Sequence, residues 1–420
     1  MRPFVRPLFI WISGIVWQSV WALEKISFVL LLFPLGVLLM SFFISITYKA
    51  LPAYGARWIW GVVFACLLLF LSIQMTYYHE HRSRDSSSGP LMEWAGRIQQ
   101  RLVNTFSELS LSDTEKSVLA TITLGHKQSM SREIRQQFSV TGVAHILAVS
   151  GFHVAIVCGF LSRILSVLSR NTVGRWFKYL LTLILLWMFV LITGLAVSSV
   201  RAGTMLTLYL TGRQLRRQTD GYNTLAASAF CLLVYDPFYF FDIGFQLSYV
   251  AVWSILYLQP IIKKRIVVRN PLLSIPWGWV TVTLAAQIGV TFLCLYYFGY
   301  FSLVFLLTNL PLTLIATLLI PVALVLTCLP DWSPALDWIR YGVEKLTHSM
   351  VWIVDAFSRL PYCSVTFRFS FAMMLLSYAS LILLFIYQSG KRPRLLLCSL
   401  FLLLIVLLLL LIEKYLHIRI

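Results

Sequence analysis

Three side chains capable of acid–base chemistry sit inside one apolar run, HILAVSGFHVAIV at residues 145–157: His145, Ser150 and His153. A serine beside a histidine can act as a nucleophile with its base, and paired histidines can hold a metal. The spacing suits neither role. On an unbroken helix, residues eight apart are turned by about 80° and separated by about 12 Å, so the histidines occupy neighbouring rows and not one ligand set. No acid nearby completes a Ser-His pair. Gly151, between them, lets the helix break or admits a close neighbour. Two readings stay open besides catalysis: these groups bond helices together, or they line a wet path through a membrane.

Two further constellations have the same character. In TGLAVSSVRAG, residues 193–203, Arg201 follows an apolar stretch among the small residues Gly194, Ala196, Ser198, Ser199 and Ala202. At mid-membrane an arginine costs roughly 3 kcal/mol, whereas near the interface it keeps its head in water. In YDPFYFFDIGFQLSYVAV, residues 235–252, Asp236 and Asp242 flank an aromatic cluster, and Gln246 and Ser248 follow. Asp-Pro reads as a turn or helix start. The rings suit an interfacial belt, and aromatic rings also stack nucleobases.

The elements that must carry these groups are visible in the composition. The 420 residues are 59% hydrophobic and 12% charged, with a mean hydropathy of +0.82. Soluble domains average about 25% charged residues, so a soluble globular protein is excluded. Apolar runs at 26–48, 58–78, 179–193, 276–298, 371–387 and 395–412 approach the ~20 residues that cross hydrocarbon. With shorter runs between them, the sequence predicts an all-α integral membrane protein. It would be a polytopic helical bundle of about ten crossings with broken or re-entrant helices. The run 302–329 is long for one span and is interrupted at Asn309, Pro311 and Pro321, so it reads as broken or re-entrant. Residues 1–23 imitate a signal peptide, with Arg2, Arg6 and Val20-Trp21-Ala22. Because Trp21 suits a cleavage site poorly and another apolar run follows at once, an uncleaved first span is expected.

The net charge of +18 is unevenly placed. Arg2 and Arg6; Lys49 and Arg57; Arg163, Arg170, Arg175 and Lys178; Arg213, Arg216 and Arg217; Lys263, Lys264, Arg265 and Arg269; and Lys391, Arg392 and Arg394 fall in alternate gaps, accompanied by one acid, Asp220. The positive-inside rule makes these gaps cytoplasmic, which explains the basic excess without nucleic acid. Residues 276–389 must then cross an even number of times. The segment 330–370 lies outside, with an amphipathic helix around Tyr341–Leu360. Residues 79–140 also lie outside. They open with a loop, HEHRSRDSSSGP, and continue with helical patterns at 91–109 and 114–137, the second begun by a capping box at Ser112–Glu115.

Other chemistries find little support. His79-Glu80-His81 has no further ligand cluster, so no metal is expected. The sequence has no phosphate loop. The seven cysteines are scattered singly, without a disulfide or zinc framework.

Taken together, residues 111–157 (LSDTEKSVLATITLGHKQSMSREIRQQFSVTGVAHILAVSGFHVAIV), the Ser-Val-Arg-Ala segment, DPFYFFDIGFQLSYVAV, and LYYFGYFSLVFLLTNLPLTLIATLLIPV with its Asn309 and Pro311 closely resemble the signature segments of ComEC-type competence proteins. Those are inner-membrane channels that carry transforming DNA into bacteria. The resemblance covers about residues 110–325, and more weakly the opening MRPFVRPLFIWISGIVW. It departs from the family in three ways. A short segment at 79–109 stands where full-length members have an OB-like domain. No histidine-aspartate ligands of a metallo-β-lactamase-like domain are found. Gly125-His126 replaces the Gly-Asp of many members.

What the resemblance implies is a five-part chain: N-terminal transmembrane spans at 1–78, an extracytoplasmic helical insert at 79–140, a competence permease core at 141–329, an extracytoplasmic loop with an amphipathic helix at 330–370, and C-terminal spans at 371–420. It implies a non-enzymatic inner-membrane channel for single-stranded DNA, N-terminus cytoplasmic and without cofactors. The expected DNA path comprises His145, Ser150, Gly151, His153, Ser198, Ser199, Arg201, Asp236, Asp242, Gln246, Ser248 and Asn309. Expected partners are single-stranded DNA, the lipid bilayer, a cytoplasmic ATPase or helicase and a periplasmic DNA receptor; a separate nuclease and a homo-oligomer stay open. The alternatives are a structural or small-solute membrane protein that keeps this core without DNA transport, and a membrane hydrolase using Ser150 and a histidine.

Overall fold

Without water to satisfy peptide groups, a lipid-embedded chain closes its hydrogen bonds within helices, and helices dominate the computed structural model of this protein. Residues 3–21, 36, 39, 57–81, 90–126, 130–217, 219–266, 268–330 and 333–418 are described. In chain order the helices are α1 (Val5–Trp21), α2 (Arg57–His81), α3 (Pro90–Ser107), α4 (Asp113–Leu124), α5 (Arg132–Val140), α6 (Ala144–Leu147), α7 (Gly151–Ile164), α8 (Thr172–Ile192), α9 (Val197–Gln214), α10 (Gly221–Tyr235), α11 (Ile243–Arg265), α12 (Pro271–Phe298), α13 (Phe305–Cys328), α14 (Leu336–Ser358), α15 (Phe371–Gly390) and α16 (Pro393–Ile418). Among the described residues, eight helices are long and apolar enough to cross a membrane: α2, α7 with its 3-10 extension, α8, α11, α12, α13, α15 and α16. Apart from positions 36 and 39, the apolar run at 26–48 lies outside the described residues. The chain is a multi-pass, all-α membrane protein, and among the described residues one two-stranded ladder forms, β1 (Tyr300–Ser302) with β2 (Ser364–Thr366).

The expected break at 302–329 is corrected by α13, a single 24-residue helix containing both Pro311 and Pro321. Each proline removes one backbone hydrogen bond. In so apolar a segment an unravelled backbone would cost more, so the helix continues. The even-crossing requirement is met in another way. β1 and β2 pair antiparallel, with Tyr300 opposite Thr366, so the excursion through α13 and α14 starts and ends at one place. α12 and α15 run antiparallel, tied by Tyr378 Oη donating to the Gly289 carbonyl at 2.8 Å and by a Tyr296–Phe371 ring contact. The basic junctions before α12 and after α15 therefore lie at the same end.

The insert also differs from expectation. His79–His81 belong to α2 and not to a loop, while residues 82–89 lie outside the described residues. The helical pattern at 114–137 is two helices, because α4 ends at Gly125, whose left-handed backbone (φ +75°) favours glycine. The capping box forms as expected, with Ser112 N donating to Glu115 Oε2 at 2.9 Å. The amphipathic helix α14 packs on α13 and lies against the insert. Arg340 pairs with Glu108 at 2.8 Å, His348 with Glu115 at 2.8 Å, and Glu344 accepts from Ser110 N at 2.7 Å. Val118 and Ile122 of α4, Val154 of α7, Leu186 of α8, Leu319 of α13 and Val343 of α14 share the largest buried cluster. At the other side Trp11 Nε1 of α1 donates to the Leu233 carbonyl of α10 at 3.1 Å.

Candidate functional site

The interruption around Ser150-Gly151 is where the expected path residues begin to meet. After α5 the chain turns at Gly142, with φ +80°. A Cβ there would lie 2.8 Å from the Phe305 Cβ and 2.9 Å from the Ser302 Cβ, so only glycine lets the turn dock on β1 and α13. Thr308 Oγ1 fixes it by donating to the Thr141 carbonyl at 2.8 Å. α6 is a single turn, Ala148 and Ser150 are extended, and α7 starts at Gly151. His145 and His153 therefore sit on different elements and not on one helix.

His145 lies beside the Asn309 side chain and the Gly142 backbone. Asn309 Nδ2 donates onward to Thr283 Oγ1 at 3.1 Å. Thr283 lies near the middle of α12, so this chain of polar groups reaches mid-span beside backbone that is not continuous helix. His145 is exposed, and Asn309 and Thr283 are half-buried.

At its other end the interruption abuts α9. The Val149 carbonyl accepts from Ser198 Oγ at 2.6 Å and from Ser199 Oγ at 3.3 Å. A Cβ on Gly151 would meet the Ala202 Cβ at 3.4 Å. The Ser150 N–H and hydroxyl both reach His153 Nδ1, at 3.3 and 3.0 Å. His153 thus fills the place that Glu takes in a capping box. With Nδ1 accepting, the bonding assigns the proton to Nε2. That atom is buried without a partner, turned toward the Ile146 carbonyl but outside hydrogen-bond geometry. As arranged, the pair caps α7.

The other two constellations, separate in sequence, join at Arg201. This arginine is 4% exposed. Its Nη1 donates to Asp242 Oδ1 at 3.1 Å, and its Nε has no partner. The same carboxylate accepts from Phe245 N at 2.7 Å and so caps α11. Gly244 leaves room for the guanidinium: a Cβ there would lie 3.1 Å from Nη2. Asp236 is apart from the ion pair and caps the 3-10 turn Pro237–Phe241. Gln246 donates to the Phe240 carbonyl and accepts from Tyr297 Oη at 2.8 Å. Ser248 donates one turn back, to the Phe245 carbonyl.

Sequence reasoning missed Thr141, Gly142, Gly244, Thr283 and Tyr297. A signal for Thr283 existed, because Thr283, Gln287 and Thr291 recur every fourth residue in an apolar run, as do Asn309, Thr313 and Thr317. His79 and His81 do not converge; each donates locally from Nδ1 to the carbonyl four residues back. Among the described residues no three His, Cys, Asp or Glu side chains come together as metal ligands.

No solved structure matches this chain. It is similar to ComE operon protein 3 of Bacillus subtilis (strain 168), 29% identical over 201 residues, which are 48% of this chain and 24% of that protein. The chain thus matches about a quarter of that relative's length. The family described as Competence protein matches residues 122–392, a stretch that holds the α6–α7 interruption, the Arg201–Asp242 pair and the Asn309–Thr283 contact. With that match running over more than half its length, the chain belongs to the Competence protein family.

Proposed function

We propose that the chain is an inner-membrane channel through which single-stranded DNA enters the bacterial cytoplasm, with its N-terminus inside. Kinship with competence proteins supports the substrate. The basic clusters support the orientation, since they fall after α7, α9, α11 and α15, at alternate junctions of the bundle. The observation that carries the reading is the mid-span run of polar groups, His145–Asn309–Thr283, at an interruption of the helices. Non-helical backbone at membrane depth is tolerated only against protein or beside water. Each phosphate moving inward opposes an inside-negative potential by ~2.3 kcal/mol per 100 mV. With no phosphate loop of its own, the channel takes its drive from a cytoplasmic ATPase or helicase, and its strand from an external DNA receptor. In this arrangement Arg201, neutralised by Asp242, holds α9 to α11, while the α6–α13 side meets the strand.

Deleting the gene in its host and counting transformants tests the reading. Loss of transformation, restored by the wild-type chain, is expected. Undiminished transformation in the deletion strain would favour a structural or small-solute role instead.

A further inference from the structure

The exposed face of α7 is unlike the other lipid-length helices. Its exposed residues in the first three turns are Gly151, Ala155 and Gly159, one face with no side chain beyond a methyl, and a Cβ at Gly159 would meet nothing within 4 Å. Helices of this chain that face lipid are clothed in bulk, as α16 is by Leu400, Phe401 and Leu404 and α8 by Leu180, Ile184 and Met188. Beside α7 lies α13, and beside α13 lies α12. Along α12, Thr283, Gln287 and Thr291 are half-exposed, and along α13 so are Asn309, Thr313 and Thr317. The Gln287 amide reaches no closer partner than Thr291, at 3.5 Å. A half-exposed amide in hydrocarbon costs several kcal/mol, so Gln287 meets water.

We propose that α7, α12 and α13 bound a water-filled crevice that reaches mid-span at His145 and passes an extended polyanion. The second part rests on the channel reading above. Charge selects the passenger. α6, α7, α12 and α13 contain no Asp or Glu, so the walls offer hydrogen bonds without repelling phosphates. The inner mouth is basic. The Arg201–Asp242 pair and the Gly151–Ala202 approach set α7, α9 and α11 starting at one end, and α12 runs antiparallel to α11, with Tyr297 bonded to Gln246. Arg163 and the cluster Lys263–Arg269 therefore both lie at the opposite end. The cationic exit suits single-stranded nucleic acid, whose backbone follows positive charge.

The test uses the full chain in membranes. In a background without the seven native cysteines, Ala155→Cys and Gln287→Cys are treated with a charged, membrane-impermeant thiosulfonate. Both should react about tenfold faster than Leu180→Cys, which faces lipid, and an added single-stranded oligonucleotide should slow them. Reaction no faster than Leu180→Cys overturns the crevice, as do disulfide-linked dimers at Ala155→Cys, which would place a second copy on this face. Fast reaction without protection by the oligonucleotide upholds the crevice and overturns the passage of the strand. Unsubstituted protein gives an independent measurement: carbethoxylation mapped by mass spectrometry should modify His145 and spare His153. Modification of exposed His348 with none at His145 overturns the proposal.

Discussion

Asp236 and Asp242 both begin a helical turn, yet only one answers a buried charge. Asp236 is a cap, and losing a cap costs about 1 kcal/mol. Asp242 caps α11 and also neutralises Arg201, whose side chain is 5% exposed against 43% for the carboxylate. Removing one member of a buried pair costs about 3 kcal/mol or more, taken at the low end because water reaches Asp242. Asp242→Ala should therefore lower the thermal midpoint in detergent several times more than Asp236→Ala; equal shifts would deny Arg201 its role as a tie. The sequence could name Arg201, Asp236 and Asp242 but could not choose the pair. Arg201 and Asp242 are 41 residues apart, and tertiary packing alone decides which carboxylate arrives. Gly244 was illegible for the same reason, since its purpose is to leave space for a side chain from another helix.

Helices were readable from hydrophobic length and caps, as the Ser112–Glu115 box shows. What misled was proline. In water Pro311 and Pro321 would end a helix, whereas α13 runs through both. The true interruption, at Ala148–Ser150, has no proline at all and is set by docking: Gly142 lies against Phe305 and Val149 against Ser198 and Ser199. Gly142→Val should be strained by its φ of +80° and by contact with Phe305. It should therefore reduce folded protein in the membrane more than Gly159→Val, which meets open space; equal yields would contradict the docking.

The clasp between α4 and α14 depends on pH. Burial pushes the Glu115 carboxyl up, but the Ser112 N–H and hydroxyl and His348 outweigh it and hold the group below its ordinary 4.5. A depressed carboxylate contributes stability that is complete above the unfolded value and lost as pH falls through the folded one. Hydrogen exchange in α4 and α14 should stay slow at neutral pH and quicken below 4.5. Glu115→Gln should be fast already at neutral pH; slow exchange in that variant would show that the carboxylate contributes nothing.

For the molecule as a whole, composition and the charge pattern were enough to set a multi-pass bundle and the alternation of its ends. They could not show that α13 and α14 form an excursion closed by β1 and β2, because three-residue strands carry too little periodicity to be seen. The central claim is that polar groups held at mid-span serve the passage of a charged strand and not merely helix packing. Asn309→Leu tests it most directly, since it keeps volume near Thr283 while removing both amide hydrogen bonds. The measurement is nuclease-resistant internalised DNA per cell, with membrane abundance of the variant matched to wild type. The expected result is a fall of about tenfold, a barrier increase of about 1.4 kcal/mol. Wild-type uptake at wild-type abundance would contradict it.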